Sequence, residues 1–384
     1  MKKKRLILLA LFILALIGIS FYGGAVTYVF LWTVIAVPVV LYLYIFMVII
    51  SLRIYQKPDG RNMVCGRPSG FYITLQNESL FSFSSLRIRF YSSFSEISDI
   101  PEDVVYELPP HSRIQKKTGL LCKYRGQYDV GVKQICVTDF LGVFSVTYNI
   151  KEPLNVIVAP ARLRLFDRFT EGEMPDADSE NRAYRSIPDI PVREYLPGDD
   201  IRFANWKASA VTGKVMVREL TGEEKSGIAI VMDPHRYGED PFDYLPPENK
   251  ATECVLGLAL YYLEHNIPVD IYLQERERVI LKLNNSRDYE LLYDKLTGYT
   301  FNAERDMNML IGDSAELSEY RMLIYVMEKW DAETLALIEG LNTAGIPVKI
   351  YLIDDTGSDK QDAVSGDMML IPVGTDTVIG EGLV

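Results

Sequence analysis

The sequence predicts a chain of three parts: two membrane-spanning helices, a β-sandwich, and an α/β domain with a parallel sheet. Two long uncharged apolar runs open the chain, short alternating strand patterns fill its middle, and apolar strands alternate with helices towards its end. Alternation of buried strands with helices is typical of parallel sheets covered on both faces. The predicted segments are a helical hairpin (1–55), a sandwich (56–165), a linking segment (166–226) and the α/β domain (227–384).

The start of the chain predicts a helical hairpin. Residues 6–22 and 25–50 carry no charge, and Gly23 and Gly24 separate them. Each run is long enough to cross a hydrocarbon core of about 30 Å. Basic residues flank both outer ends, in MKKKR and SLRIYQK, and the turn has none, so the pattern places the rest of the chain in the cytoplasm. A cleaved signal peptide is the alternative, but no A-x-A-like site follows the first run.

Short strand patterns from residue 71 to residue 160 predict a small antiparallel sandwich. FYITLQN, LRIRFYS, KQICVTD, VFSVTYN and LNVIVAP alternate apolar and polar residues, and breaks rich in Gly, Pro and Asn separate them. No amphipathic helix intervenes. We expect a hairpin around Asp129 and Gly131 and a tight turn at Gly142, with Asp139 as a turn former rather than a binding residue.

The pattern changes after Ser226 to that of an α/β domain. GIAIVMD, VDIYLQ, RMLIYVM and VKIYLID are buried-strand patterns, while NKATECVLGLALYYLEHN and DAETLALIEGLNTAG are helical. The first helix is expected to end on three stop signals, His265, Asn266 and Pro268. Ligands of parallel sheets bind at the carboxyl ends of the strands. The acidic residues at those ends are Asp233, Glu328, Asp354 and Asp355.

Charge and motif content exclude several classes of function. The net charge of -12 would repel a phosphate backbone, so nucleic acid is not an expected partner. Four cysteines without C-x-x-C spacing predict neither a zinc ribbon nor a redox dithiol. ASAVTGKV fails as a phosphate loop because Ala208 and Val215 occupy its first and last positions. Asp199 and Asp200 follow Pro-Gly and are expected at a turn or helix start. We find no catalytic pattern and expect no cofactor.

A charged stretch with two large aromatics, VREYLPGDDIRFANWKASAVTGKVMVREL, follows neither a helical nor a strand period. In order and spacing it resembles the signature of the bacterial family called domain of unknown function 58, and YRGQYDVG and DFLGVF also resemble that family. The signature residues are Arg193, Glu194, Tyr195, Pro197, Gly198, Asp199, Arg202, Trp206, Lys207, Ser209, Gly213, Lys214, Arg218 and Glu219. We expect Tyr195 and Trp206 to be buried and opposite charges to pair, as in an interdomain clasp with a possible docking face.

The resemblance implies a membrane-anchored protein with a β-sandwich and a von Willebrand factor A-like domain of Rossmann type. Members are often encoded beside MoxR-type AAA+ ATPases, so such an ATPase is the expected partner besides membrane lipid. Metal-binding domains of this type carry D-x-S-x-S, in which a carboxylate and two hydroxyls hold the ion. Asp233, His235 and Tyr237 occupy that place, and Arg236 adds a positive charge, so the site is degenerate and no metal is expected.

These observations predict an adaptor or assembly factor tethered to a bacterial cell membrane by two spans, with its large domain in the cytoplasm. A protein–protein interaction is the predicted role, because no catalytic constellation is found. The alternative is a hydrolase or ligand-binding protein that works at the carboxyl edge of the α/β sheet. An empty, metal-free crevice at that edge favours the adaptor, whereas converging acids around an ion favour the enzyme.

Overall fold

A computed structural model describes residues 2–60, 63–101, 104–166, 169, 192–195, 204, 206–218, 227–275, 277–302, 317, 319–329, 338, 340–341, 346–353 and 369–382. The chain divides into two compact units. The first comprises Met1–Ala161 with Asp294–Tyr299, and the second comprises Arg162–Tyr293 with Thr300–Val384. The predicted hairpin and strand-rich segments fall in the first unit, and the predicted α/β segment falls largely in the second.

Two apolar helices open the first unit. α1 (Lys2–Tyr22) and α2 (Ala25–Ser51) are both long and apolar enough to cross a membrane, as the sequence predicts. Gly23, with φ 55°, makes the turn between them. α2 continues without a loop into the first strand, because Leu52 has extended dihedrals while its N–H still donates to the Val48 carbonyl of the last helical turn.

A sheet-rich region follows the helices. Its strands are β1 (Leu52–Pro58), β2 (Met63–Val64), β3 (Pro68–Asn77), β4 (Phe83–Phe90), β5 (Ser95–Ile97), β6 (Val105–Leu108), β7 (Arg113–Cys122), β8 (Gly126–Val130), β9 (Val132–Thr138), β10 (Ser145–Asn149) and β11 (Leu154–Ala159). They form sheets of order β1-β3-β7-β5, β10-β9-β4-β6 and β2-β11-β8. Every pair is antiparallel except β2 with β11. The five predicted strand patterns correspond to β3, β4, β9, β10 and β11.

The two turns predicted in this region have different outcomes. The tight turn at Gly142 is confirmed, since φ is 67° and the Gly142 N–H donates to the Asp139 carbonyl at 3.0 Å between β9 and β10. The predicted hairpin around Asp129 and Gly131 is wrong. β8 pairs with β11 whereas β9 pairs with β4 and β10, so the chain changes sheets at Gly131. A Cβ atom at Gly131 would lie 2.2 Å from Gln56 Oε1, which explains the glycine.

The second unit contains a six-stranded sheet of order β17-β16-β15-β18-β19-β20. These strands are β15 (Ile228–Met232), β16 (Val269–Gln274), β17 (Arg278–Leu283), β18 (Met322–Met327), β19 (Val348–Ile353) and β20 (Met369–Val373). Neighbours run parallel except β17, which is antiparallel to β16. β15 and β19 are buried along their whole length, as expected of strands covered on both faces. Two small pairs complete the unit: β12 (Leu163–Leu165) with β21 (Gly380–Gly382), and β13 (Val192–Glu194) with β14 (Met216–Arg218).

Three further helices are described: α3 (Trp206–Thr212), α4 (Pro241–Glu264) and α5 (Ser286–Gly298). The first two belong to the second unit, whereas α5 is divided between the units at Asp294. α4 ends at Glu264, and Asn266 has φ 58°, so the predicted stop is confirmed. Its start lies earlier than the pattern predicts, because Asp240 caps Phe242 N–H and Pro241 fits the first helical turn. The second predicted helix, DAETLALIEGLNTAG, lies largely outside the described residues.

Candidate functional site

The carboxyl ends of the central strands form a candidate site in the second unit. The chain runs from β15 to β16 and β17 on one side of β15 and then crosses to β18 on its other side, so the strand order reverses at β15. In sheets of this kind a crevice opens at the carboxyl end of the strand where the order reverses. A depression at this place is lined by Asp233, His235, Pro247, Glu248, Ala251, Phe301, Val326, Met327 and Glu328. The structure therefore brings Asp233 and Glu328 together. Asp354 and Asp355 lie outside the described residues.

The carboxyl-edge loop, residues 233–238, is closed by its own hydrogen bonds. Asp233 is almost fully buried, and its Oδ1 accepts the His235 N–H at 3.1 Å. Its Oδ2 accepts the Tyr237 hydroxyl at 3.0 Å. The His235 and Tyr237 rings meet edge to face with centroids 4.7 Å apart. The residues that replace the two hydroxyls of a metal loop thus engage the carboxylate themselves.

Arg236 turns away from this carboxylate and onto α4. Its guanidinium makes a bidentate ion pair with Glu248, with Nε–Oε1 at 2.6 Å and Nη2–Oε2 at 3.2 Å. It also lies 3.8 Å above the Tyr244 ring. Bidentate geometry and stacking both fix an arginine side chain. Arg236 therefore anchors the loop rather than adding a free positive charge to the crevice.

Sequence reasoning missed the polar face of α4. Its first half carries buried Glu248, Asn249, Lys250 and Glu253. Lys250 Nζ lies 2.8 Å from Glu253 Oε2 and also donates to the Thr377 carbonyl at 3.0 Å. Glu253 Oε1 accepts the Asn249 amide at 2.7 Å. The polar pattern of PENKATE predicts a solvent-exposed helical face. Only the i, i+3 spacing of Lys250 and Glu253 indicates an ion pair.

The described residues offer no group of three or more His, Cys, Asp or Glu side chains arranged to hold a metal ion. Among the contacts described in the crevice, the Asp233 carboxylate accepts a hydrogen bond from a phenol and the Glu248 carboxylate pairs with a guanidinium. These contacts hold the carboxyl-edge loop in one shape.

The signature segment folds into a small unit, here called the signature hairpin (residues 192–195 and 206–218). β13 and β14 pair in register, and the Tyr195 N–H donates to the Val215 carbonyl at 2.8 Å. Ser209 Oγ on α3 accepts the Met216 N–H at 2.8 Å. Gly213, with φ 69°, ends α3, and its N–H donates to the Ser209 carbonyl. Gly213 and Lys214 thus follow a helix, whereas a phosphate loop precedes one.

The signature hairpin exposes its large aromatic residue. Trp206 is 66% exposed and Lys207 beside it is also exposed, so the expectation that Trp206 is buried in a clasp is wrong. Tyr195 is half-buried. Glu194 and Lys214 do pair, at 3.0 Å, but both side chains are exposed. The sequence pattern did not distinguish a buried from an exposed tryptophan, because an irregular segment has no periodic face.

The described residues include only part of the signature. Pro197, Gly198, Asp199, Arg202 and Glu219 lie outside the described residues, as does Asp200. Arg193 and Arg218 are described for their backbone, which pairs with Val217 and Val192 respectively. The signature residues whose surroundings are described are Glu194, Tyr195, Trp206, Lys207, Ser209, Gly213 and Lys214.

Comparison with protein families gives one match on the part of the chain that carries this site. Residues 191–240 match the family described as "Protein of unknown function DUF58", which supports the resemblance stated above. The matched region contains the signature hairpin, β15 and the carboxyl-edge loop. No curated protein matches the chain.

Solved structures give only remote likenesses. The CARDB domain of a Pyrococcus furiosus protein in complex with di-metal ions is 13% identical, with a TM-score of 0.19 over 28% of this chain and 86% of that chain. Salmonella alpha-2-macroglobulin reacted with methylamine is 13% identical, with a TM-score of 0.22 over 31% of this chain and 8% of that chain. BslA, a bacterial hydrophobin, is 11% identical, with a TM-score of 0.18 over 28% of this chain and 95% of that chain. At these scores the likenesses establish neither a fold nor a function.

Proposed function

We propose that the chain is a membrane-tethered adaptor that recruits a protein partner through the signature hairpin. The observation that carries this proposal is the exposure of Trp206 on an otherwise ordered hairpin. Tryptophan is enriched among the residues that dominate binding energy at protein interfaces. Lys207, next to it in the chain, adds an exposed positive charge, and such charges steer association and set specificity.

The second unit suits an interaction module of the von Willebrand factor A type. The strand order β17-β16-β15-β18-β19-β20, with one antiparallel edge strand, agrees with a Rossmann-type sheet. The carboxyl-edge loop is held by Asp233, Tyr237 and Arg236 in a fixed shape. A preorganised loop loses little conformational entropy when a partner binds. We infer that this loop extends the binding surface.

The family resemblance supports a MoxR-type AAA+ ATPase as the proposed partner. The basic outer ends of the apolar helices support a cytoplasmic location for the large domain, which is where such an ATPase would meet it. The hairpin of α1 and α2 would then hold the ATPase at the membrane surface, so that its remodelling activity is directed to a neighbouring complex.

The proposal is tested by capture of the ATPase on the full-length chain in detergent, with ATP, with ADP and without nucleotide. Trp206→Ala should reduce capture about tenfold or more, as expected when a central aromatic residue is truncated. Leu291→Ala is the matched control, because Leu291 is a comparably exposed apolar residue on α5. Equal capture by both variants, or no capture in any nucleotide state, would refute the proposal in this form.

One observation favours an alternative function. Asp233, Glu248 and Glu328 line the same depression, so the crevice is a concave site with convergent polar groups. Under the alternative, a small ligand or substrate binds there. Glu328→Gln should then abolish ligand binding and leave ATPase capture unchanged, whereas the adaptor proposal predicts no small-molecule dependence.

A further inference from the structure

A buried amide holds the first of two apolar loops in the first unit. Asn77 is almost fully buried, and its Nδ2, with two hydrogens to donate, lies within hydrogen-bonding distance of three backbone carbonyls, among them that of Phe81 at 2.8 Å. Its Oδ1 accepts both the N–H and the hydroxyl of Ser79 at 2.8 Å. The loop is therefore ordered, yet it leaves Leu80 76% and Phe81 57% exposed.

A buried carboxylate holds the second loop in the same manner. Asp139 is almost fully buried and accepts the N–H groups of Leu141 at 2.8 Å, of Val143 at 3.0 Å and of Phe144. The turn that results leaves Phe140 55% and Leu141 45% exposed. Each loop thus presents two consecutive large apolar side chains that the fold does not bury. Ordered exposure of this kind marks an interaction surface.

Both loops meet α2 at Tyr44. The Tyr44 hydroxyl donates to the Ser82 carbonyl at 2.8 Å and lies 3.2 Å from Ser84 Oγ, directly after the first loop. The Tyr44 ring meets the Phe140 ring of the second loop edge to face, with centroids 5.4 Å apart. Both loops therefore lie beside the same turn of the helix.

The amino-terminal end of α1 lies at the second loop. Lys4 Nζ donates to the Leu141 carbonyl at 2.6 Å, and Arg5 Nε donates to the Val143 carbonyl at 2.9 Å. Lysine and arginine at helix ends keep their charged groups at the membrane surface. The second loop consequently lies at the level where the charged end of α1 leaves the bilayer.

The length of α2 is a second, independent argument for the same depth relative to the bilayer. From Ala25 to Tyr44, α2 rises about 30 Å, which equals the thickness of a typical hydrocarbon core. Beyond Tyr44, α2 is packed on its own unit, since Ile45 and Val48 are almost fully buried and α2 contacts β9. Tyr44 is thus placed at the boundary of the hydrocarbon core, as is common for tyrosine in membrane helices.

We propose that residues 79–82 and 139–144 form a membrane wedge that inserts its apolar side chains into the lipid leaflet at the basic end of the helical hairpin. The surface is continuous with α1 and α2 and is bordered by Lys4 and Arg5, which fit anionic headgroups. Lipid is therefore its occupant. The wedge rests on the membrane anchor of the proposed function, but it is independent of any protein partner. It fixes the sheets of the first unit against the bilayer at three points: the hairpin and the two loops.

The test uses depth-dependent quenching of tryptophan fluorescence by lipids brominated in the upper acyl chain. The full-length chain carrying Trp206→Phe and Trp330→Phe is placed in nanodiscs of brominated or ordinary lipid, so that Trp32 of α2 alone reports insertion of the hairpin. Adding Trp32→Phe removes the last native tryptophan, and Leu80→Trp and Leu141→Trp then each add one probe, one in each loop. Ile157→Trp is the matched control, because Ile157 is 56% exposed on β11.

The control lies at the opposite end of the sheets. β7 runs from Arg113, which pairs with Gln76 beside the first loop, to Cys122, about 30 Å away. Ile157 lies near that far end, since its neighbouring Val158 pairs with Met63 and Gly126. The control probe should therefore remain in water.

We expect brominated lipid to lower the emission of the two loop probes by about twofold or more, as for aromatic rings at the interface, and to leave the Ile157→Trp probe unchanged. Quenching of Trp32 without quenching of either loop probe would overturn the wedge while leaving the membrane anchor intact. It would then assign the loops to a second copy or another protein. Absence of Trp32 quenching would overturn the anchor and the wedge together. ATPase capture is measured in detergent, so its failure would bear on the adaptor proposal alone.

Discussion

At the scale of single residues, Arg236 stabilises the second unit by neutralising a buried carboxylate. Arg236 is 34% exposed in its side chain, whereas its bidentate partner Glu248 is 4% exposed. Removal of one partner of such a pair leaves a charge in a poorly solvated place. We expect Arg236→Ala to lower the free energy of unfolding by about 2 to 4 kcal/mol, measured by urea denaturation.

An exposed ion pair provides the control. Glu194 and Lys214 lie 3.0 Å apart with more than half of each side chain in solvent. Lys214→Ala should therefore change the free energy of unfolding by no more than about 1 kcal/mol. Equal effects of the two substitutions would contradict the role assigned to Arg236. Charge reversal by Arg236→Glu would place two carboxylates together and disturb the carboxyl-edge loop, so this substitution is a poor probe of partner binding.

The buried thiol of α4 makes stability depend on alkaline pH. Burial raises the pKa of Cys254 from its ordinary value of 9.0 to about 12. Between these values the unfolded thiol is ionised while the folded thiol keeps its proton, so the unfolded state binds fewer protons and stability falls as pH rises. Below pH 9 the thiol is protonated in both the folded and the unfolded state, so the stability that depends on it is fully present.

The expected result is a free energy of unfolding that declines above pH 9 less steeply in Cys254→Ala than in the unaltered chain. Denaturation curves recorded at several pH values measure both slopes. The substitution also removes packed atoms, but that loss is the same at every pH and does not alter the slope. A remaining decline is expected from Tyr289, since burial raises its pKa to about 12. Identical slopes would contradict the prediction.

At the scale of elements, the turn between β9 and β10 depends on a glycine. Gly142 has φ 67°, and a Cβ atom there would lie 3.0 Å from Lys4 Nζ. Gly142→Ala should therefore lower the thermal midpoint through a strain of about 1 to 2 kcal/mol. Gly298→Ala at the end of α5 is the control, because a Cβ atom there would meet nothing within 4 Å. A midpoint lowered equally in both variants would argue against this account.

The sequence predicted regular elements better than the contacts between them. The apolar strands β15, β16, β18 and β19 and both apolar helices follow from periodicity and length, which are local properties. The sheet change at Gly131 could not be predicted, since a glycine with positive φ serves a hairpin and a sheet crossing equally well. The exposure of Trp206 and the burial of Glu248 depend on tertiary packing, and no local pattern encodes them.

At the scale of the whole molecule, a labelling test of membrane orientation requires introduced thiols. Cys65, Cys122 and Cys254 are almost fully buried, so a reagent would fail to label them on either side of a membrane. Cys136 is only half-buried, so the introduced thiols are placed in a Cys136→Ser background. Tyr22→Cys places an exposed thiol at the hairpin turn, and Leu291→Cys places one on α5.

In intact cells, an impermeant reagent should label Tyr22→Cys and should label Leu291→Cys only after lysis, because basic flanks remain in the cytoplasm. Labelling of both after lysis is the control for accessibility. The reverse pattern in sealed cells would place the large domain outside and would exclude a cytoplasmic ATPase as its partner.

The direct passage from α2 into β1 has a mechanical consequence. α2 ends at Ser51 and β1 begins at Leu52, so no flexible linker separates the helix from the strand. β1 pairs along its whole length with β3. Torque or vertical displacement of α2 would therefore be transmitted to the sheet instead of being absorbed at a hinge. Under the proposed membrane anchor, a force applied to the sheet would act directly on α2. Insertion of a Gly-Ser segment after Ser51 would uncouple α2 from β1. If the chain only tethers its partner, function should survive this insertion, whereas it should be lost if α2 must transmit force.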